Sequence, residues 1–155
     1  MTIEFNPVAI ISNNRKTIED DDWGEVVSTI ELLDPLGEEA LLNIESFSHV
    51  EIIYLFDRVD PAKIETGARL PRNNQDWPLT GIFAQRGKNR PNQIGATICR
   101  LISHNGRRII VKGLDALDGT PVLDIKPVMN EFLPDEAVKQ PAWVSPLMKH
   151  YWKKG

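Results

Sequence analysis

Apolar and polar positions along this chain form short runs, most of which have the length of a β-strand. Residues 8–11 are apolar, and residues 25–32 alternate in part between apolar and polar side chains. Residues 49–56 form a mostly apolar run that predicts a buried strand. Turns rich in Gly, Pro and Asn separate further apolar runs, which predict strands over residues 82–84, 94–102, 109–111 and 122–125.

The order of these runs decides the predicted fold class. Residues 36–47 have apolar positions near helical spacing and predict a short helix, whereas residues 60–78 have no periodicity and predict a long surface loop. Asn105-Gly106 lies between two predicted strands and is typical of a two-residue hairpin loop. Because strands and helices do not alternate regularly, we predict a mainly β fold, a small β-barrel with one or two short helices.

The C-terminal part of the chain differs from the rest. From Glu131 onward it is rich in proline, which predicts an extended arm. The aromatic residues of this arm are expected to pack on an edge of the barrel or on a second subunit; they are Trp143, Tyr151 and Trp152. At 155 residues the chain is long enough for one core. We expect a single domain over residues 1–155, with its core at about residues 5–135 and the arm over residues 136–155.

The composition indicates the class of protein and the cellular compartment to expect. The chain has 41% hydrophobic and 26% charged residues, as ordinary globular proteins do, and no apolar run is long enough to cross a bilayer. Residues 1–4 lack the basic and apolar regions of a secretion signal, and Cys99 is the only cysteine. We therefore expect a cytoplasmic protein with no membrane partner, in which Cys99 is a buried structural thiol.

Charge is distributed unevenly along the chain. The net charge is −4, yet residues 1–65 carry 15 acidic against 4 basic side chains. Residues 66–114 carry 9 basic side chains and a single acid, Asp76. Such a basic block either steers an anionic ligand toward a site or forms an ordinary solvated face.

Two polar turns carry the candidate chemistry. Residues 86–92 offer guanidinium groups, which bind carboxylate or phosphate, and amides, which bind hydroxyls or bases. Residues 115–121 form an acidic turn that contains Asp118-Gly119. Each alone is also typical of a plain surface turn. Together, on neighbouring strands, they suit a zwitterionic small molecule that bears ribose hydroxyls.

Other familiar motifs are missing from the sequence. It contains no nucleotide-binding glycine motif, no P-loop, no serine-hydrolase elbow and no Cys/His spacing of a metal site, so we expect no bound metal. Asp124 and Lys126 alternate along a predicted strand and share one face of it. The resulting ion pair is either a structural clamp or part of the site.

The polar turns and their flanks resemble the signature of the TsaA-like family of S-adenosylmethionine-dependent tRNA methyltransferases, also called the TrmO, YaeB or VirR type. The likeness covers most of residues 8–134. Its first block consists of Gly81, Phe83, Ala84, Arg86, Arg90-Pro91-Asn92 and Ile94-Gly95. Its second block consists of Leu114-Asp115, Asp118-Gly119-Thr120-Pro121-Val122 and Asp124-Ile125-Lys126-Pro127.

The resemblance implies a small β-barrel that forms a homodimer and holds S-adenosyl-L-methionine near the dimer interface. The implied methyl acceptor is the exocyclic amine of the modified adenosine beside the tRNA anticodon, so tRNA is the expected partner. The implied cofactor contacts are Asn14, Arg15, Lys16, Asp57, Arg58, Arg86, Ala96, Asp115, Ala116, Leu117 and Asp118. The expected substrate contacts are Lys88, Arg90 and Asn92.

Methyl transfer to an amine needs a group that accepts the departing proton. Asp118 or Asp124 is the predicted acceptor, and Lys126 is its predicted catalytic partner. The sequence departs from the family pattern where Gly87-Lys88 replaces Ser-Pro and where Val128 replaces a tyrosine. Two rival functions therefore stay open: a module that binds S-adenosylmethionine without transferring its methyl group, and a basic barrel that binds RNA without a cofactor.

Overall fold

The computed structural model describes residues 1–153, and a closed antiparallel β-barrel is its main feature. The strands are β1 (Ala9–Ser12), β2 (Val27–Leu32), β3 (His49–Leu55), β4 (Ala68–Arg69), β5 (Thr80–Gly81), β6 (Ile94–Asn105), β7 (Arg108–Lys112) and β8 (Pro121–Pro127). Around the barrel their order is β1-β2-β7-β6-β3-β8, while β4 and β5 pair separately. The one α-helix in residues 1–153 is α1 (Val144–Leu147).

The barrel follows from the period-two pattern of its strands. In β3 and β7 every second residue points inward and is buried, as Ile52 and Ile109 show with no exposed surface. Ile11, Ile30 and Val122 complete the same core from the other strands. The prediction of a small, mainly β barrel is therefore confirmed.

β6 is the longest strand and joins two parts of the barrel. It pairs with β3 from Ile94 to Arg100 and with β7 from Arg100 to Asn105, with a register shift between Leu101 and Ser103. Such a bulge bends a strand and lets it serve both neighbours. The predicted hairpin follows directly: Asn105 pairs with Arg108, and Gly106 adopts a φ of 59° in the two-residue loop.

The predicted helix over residues 36–47 is wrong. The segment instead forms two 3₁₀ turns, Glu38–Leu41 and Ile44–Ser46. Asn43 separates them in the left-handed conformation, with a φ of 67°, which no continuous helix can contain. The apolar spacing reflects inward contacts of this connection, among them that of buried Leu41.

The predicted strand over residues 82–84 is also wrong. Ile82–Ala84 is a 3₁₀ turn that begins directly after β5. The amide of Ile82 donates to the carbonyl of Gly67, and the turn buries Ile82 while it leaves Phe83 exposed. The predicted loop over residues 60–78 is mostly irregular, with β4 and two 3₁₀ turns, Pro61–Lys63 and Pro71–Asn73, inside it.

The C-terminal arm packs on the chain's own barrel. The amides of Asp22 and Trp23 donate to the carbonyls of His150 and Tyr151, at 3.0 and 2.8 Å. A side chain on Gly24 would overlap the backbone oxygen of Trp152, so the arm lies directly on this loop. The arm is not extended throughout, because α1 forms within it.

The single cysteine lies inside the barrel. Cys99 is buried, as expected, and its burial raises the pKa of the thiol to about 12, so it is an inert core residue. In residues 1–153 no helix has the length and apolar character needed to cross a membrane.

Candidate functional site

A cleft of about 1160 Å³ opens where the end of β3 lies beside the start of β6. The loop after β3, residues 84–90 and residues 115–117 line it, as do side chains from the C-terminal arm. Residues of both polar turns, 86–92 and 115–121, therefore line the same cleft. A volume of this size holds a ligand larger than a nucleoside.

The carboxylate of Asp115 lies at the centre of a hydrogen-bond network in the cleft. Its Oδ1 accepts from the hydroxyl of Tyr54 at 3.0 Å and from the hydroxyl of Thr97. Its Oδ2 accepts from the hydroxyl of Tyr151, in the C-terminal arm. Burial, followed by the nearby charge of Asp115, raises the pKa of both tyrosines far above the usual range. Both phenols therefore stay protonated and act as donors.

Arg86 connects the polar turn of residues 86–92 to β6. Its Nη2 donates to the carbonyl oxygen of Ala96, in β6, at 2.6 Å. The polar turn that the sequence singled out is thus anchored to the strand that forms one side of the cleft. Arg90 of the same turn donates to the carbonyl of Gln85 at 2.6 Å, which stiffens the turn from within.

Five cations line the cleft and make no ion pair with an acidic side chain among residues 1–153. We call these side chains the basic rim: Arg58, Arg69, Arg86, Lys88 and Arg90. Unpaired cations beside a concave surface create a local positive potential that attracts anionic ligands.

Asp118 does not line the cleft, but it directly follows the lining residue Leu117. Its carboxylate forms an ion pair with Lys16, Nζ to Oδ2 at 2.5 Å, and accepts from the amide of Asn13 at 3.0 Å. These two bonds, the one to Lys16 first, lower the pKa of Asp118. Arg58 donates to the carbonyls of Lys16 and Asp118 and so ties both loops to the cleft.

Arg15 holds the neighbouring loop. Its guanidinium lies 3.9 Å from the ring centre of Trp23 and donates at 2.9 Å to the carbonyls of Asp21 and Asp22. Glu19 completes its surroundings with an ion pair at 3.1 Å. Trp23, but not Arg15, lines the cleft. Arg15 thus supports the cleft through the loop.

The structure brings together nine of the residues that the sequence assigned to cofactor or substrate. They line the cleft: Asp57, Arg58, Arg86, Lys88, Arg90, Ala96, Asp115, Ala116 and Leu117. The remaining assigned residues lie outside the lining: Asn14, Arg15, Lys16, Asn92, Asp118, Asp124 and Lys126.

The pair of Asp124 and Lys126 lies on the outer side of β8. The two charged groups are 2.9 Å apart and about half exposed. The bond to Asp124 raises the pKa of Lys126. Lys126 pairs in register with Glu51, which does line the cleft. The pair is therefore next to the site, one residue removed from its lining.

Sequence reasoning missed several residues that build the site. Asn13 donates from its side chain to Ser28 at 2.9 Å and to the carbonyl of Ala116 at 2.8 Å. Tyr54 and Thr97 belong to strands and looked like plain core residues in the sequence. A signal for Tyr54 was its polar hydroxyl inside an otherwise apolar run, since a buried phenol needs a partner.

The comparison with protein families identifies the chain. Residues 18–133 match the model of the tRNA-methyltransferase O N-terminal domain. The chain belongs to this family. The match contains both polar turns, the basic rim and Asp115, so most of the residues that line the cleft lie within the matched range.

Two individual relatives and one solved structure support the same family. The human tRNA (adenine(37)-N6)-methyltransferase is 38% identical over 104 residues, which are 67% of this chain and 23% of that protein. A Pyrococcus abyssi protein named "Probable S-adenosyl-L-methionine-binding protein" is 35% identical over 85% of this chain and 71% of its own length. A crystal structure of TrmO from P. aeruginosa superposes with a TM-score of 0.72 at 29% identity, over 92% of this chain and 62% of that one.

These comparisons confirm the family resemblance and the barrel fold. The chain spans less than half of the length of several relatives it matches, among them the human protein. In residues 1–153 there is also no group of three or more His, Cys, Asp or Glu side chains arranged to hold a metal ion.

Proposed function

We propose that this protein is an S-adenosyl-L-methionine-dependent methyltransferase that modifies the exocyclic N6 amine of the adenosine beside the anticodon of tRNA. The names of the human and archaeal relatives support the reaction and the cofactor. The observation that carries the proposal is the cleft itself. It unites unpaired cations and a carboxylate network, which lie mostly within the residues that match the family model, with apolar side chains.

The donor groups of the cleft fit the parts of this cofactor. Arg86 offers a guanidinium for the carboxylate of the methionine end. The backbone of Ala96 and of residues 115–117 offers polar groups for the amine and the ribose hydroxyls. Asp57 and Arg58 lie at the same cleft and are proposed contacts as well. We propose that Asn14, Arg15, Lys16 and Asp118 act by holding these loops.

The residues of this chain contribute to the reaction mainly by orienting the cofactor and the acceptor base. S-Adenosyl-L-methionine supplies an electrophilic methyl group on its sulfonium. The network of Asp115, Tyr54 and Thr97 keeps one wall of the cleft rigid, and alignment of this kind supplies much of the rate of a methyl transfer. Asp118 and Asp124 stay our predicted acceptors of the proton that leaves the amine, and Lys126 stays a predicted catalytic partner, although none of the three lines the cleft.

Lys88 and Arg90 of the basic rim are the proposed tRNA contacts. Lys88 and Arg90 line the cleft beside the proposed cofactor groups, where they reach phosphates that flank the acceptor base. Asn92 belongs to the same turn but lies outside the lining, so we propose that it shapes the turn; its φ of 63° places it in the left-handed region.

We further propose a homodimer and a cytoplasmic location. Ile94, Ile98 and Ile102 form an exposed apolar row on the outer face of β6, 39–49% exposed. Ile94 and Ile98 also line the cleft, so a second copy packed on this row would close the cleft. Sedimentation equilibrium tests this: the wild type is expected as a dimer and Ile102→Lys as a monomer. A monomeric wild type would contradict the proposal.

The function is tested by binding and by transfer. Titration calorimetry with S-adenosylmethionine is expected to give binding that Arg86→Ala weakens tenfold or more. Arg108→Ala is the matched control, because Arg108 is an exposed cation on β7 that does not line the cleft. Labelled methyl groups are expected to reach bulk tRNA, at an adenosine located by nuclease digestion and mass spectrometry. Binding without transfer would indicate a cofactor-binding module; no binding at all would contradict the proposal.

A further inference from the structure

We infer that the C-terminal arm supplies a wall for an adenine ring, and that Tyr151 holds this wall in place. The wall consists of Trp143, Val144, Leu147 and Met148, one face of the turn around α1. This inference rests on the proposed function and deepens it. The segment lies beyond residues 18–133, which match the family model, so that match does not cover the wall.

The pattern of exposure shows which face the arm turns to the cleft. Residues 143, 144, 147 and 148 are half-buried and line the cleft, as does Tyr151. Ser145, Pro146, Lys149 and His150 lie between them and are exposed. This is the spacing of a helical surface with one apolar side. The apolar side faces a cleft that also contains the charged side chains of the basic rim and of Asp115.

The arm is fixed at both ends of the wall. Near its start, the ring of Trp143 lies 6.4 Å from that of Trp77. Near its end, the carbonyls of His150 and Tyr151 accept from two amides of the loop that contains Trp23, and the Tyr151 hydroxyl donates to Asp115. A wall held at two points is preorganised, so little ordering cost remains when a ligand binds.

An adenine ring is the occupant that fits the two kinds of surface. A planar base gains affinity from apolar and aromatic side chains, whereas ribose, sulfonium and phosphate need the polar groups that the rest of the cleft provides. Two proposed ligands carry such a ring, the cofactor and the acceptor adenosine. The chemistry of the wall is the same for both, and the experiment separates them.

The test compares Leu147→Ser with Leu42→Ser. Leu42 is 73% exposed and lies outside the cleft, so it controls for the chemical change. Calorimetry measures the Kd values of S-adenosylmethionine and 5′-methylthioadenosine, and an anticodon stem-loop RNA is titrated separately. Leu147→Ser is expected to weaken an adenine-bearing ligand about tenfold, since apolar contact area is lost. Thermal unfolding confirms that both variants are folded.

The three binding measurements distinguish the possible occupants of the wall. Weaker binding of both small molecules assigns the wall to the cofactor, and weaker RNA binding alone assigns it to the acceptor base. Unchanged affinity for all three probes would overturn the inference, as would a wild type that binds none of them. A wild type that binds 5′-methylthioadenosine through the wall but transfers no methyl group would contradict the proposed function and leave the wall standing.

Tyr151→Phe tests the positioning role. Loss of the hydroxyl is expected to speed amide hydrogen exchange in residues 143–152 and to weaken the same ligand that Leu147→Ser affects. Unchanged exchange together with unchanged affinity would show that the bond to Asp115 does not hold the wall.

Discussion

At the scale of single residues, the site depends on buried polar groups that have their partners. Asp115 is satisfied by three hydroxyl donors, from Tyr54, Thr97 and Tyr151. Asp115 is half-buried, and a carboxylate that is partly removed from water is costly without such donors, so the network fixes these side chains together. Asp115 is therefore the residue that connects the barrel core to the proposed binding surface.

Gly95→Ala is the residue-scale prediction. A Cβ at Gly95 would lie 2.5–2.9 Å from ring atoms and the hydroxyl of Tyr54, which is only 1% exposed and cannot move aside. We expect a loss of about 1–3 kcal/mol in the free energy of unfolding, as overpacked cores show. Urea unfolding measures it.

Gly81→Ala is the matched control for this change. An added Cβ at Gly81 meets no atom within 4 Å, and the backbone there does not need glycine. We expect little change in stability for Gly81→Ala. Equal stability of the two variants would contradict the packing argument at Gly95.

At the scale of elements, irregular turns are attached to the barrel by single polar contacts. His104, near the end of β6, binds Glu45 of the 3₁₀ turn Ile44–Ser46 at 2.9 Å and the carbonyl of Gly106 at the same distance. The bond to Glu45, then that to Gly106, raises the pKa of His104 above its ordinary 6.5. The turn that replaced the predicted helix is thus held by a titratable side chain.

His104→Gln is the element-scale prediction. Because the folded-state pKa of His104 is raised, its stabilising effect is complete below the unfolded value near 6.5 and is lost as the pH rises through the folded value. We expect the wild type to exceed His104→Gln in melting temperature by more at pH 5.5 than at pH 8.5. Glu45→Gln should reproduce this trend. A gap that does not depend on pH would show that the contact does not stabilise the protonated histidine.

At the scale of the whole molecule, an acidic protein presents a basic cleft. The acidic residues 1–65 and the basic residues 66–114 fold into one barrel, and the unpaired cations collect at its cleft. A protein of net charge −4 can therefore still attract an anionic ligand to one place.

The salt dependence of RNA binding is the prediction at this scale. With about three to five phosphate contacts to a single-stranded loop, we expect the Kd to rise about 20- to 100-fold between 50 and 200 mM salt. Lys88→Ala should reduce the slope of log Kd against log salt by about 0.7. Lys112→Ala is the control, since Lys112 pairs with Glu25 at 2.7 Å and lies outside the cleft. Equal slopes for the two variants would contradict the role of the rim.

The sequence predicted most strands because an inward and outward alternation is a local pattern. It failed at residues 36–47 and 82–84, where apolar residues belong to 3₁₀ turns and their spacing imitates that of a helix or a strand. For the site, it predicted Arg86 and the Asp115 turn from polar side chains in an apolar context. It missed Asn13 and Tyr54, whose partners are 103 and 61 residues away in the chain.

By itself, the sequence determined most of the strands, the barrel class, the family and the two polar turns, since all of these depend on patterns of neighbouring residues. Tertiary structure alone decided which of the candidate residues share one cleft, and it placed Asp118, Asp124 and Lys126 outside the lining. It also placed the hydroxyl of Tyr151 in contact with Asp115, 36 positions earlier in the chain, so that the arm lines one side of the cleft. The physical reason is that barrel closure fixes distances between strand ends that no local pattern encodes.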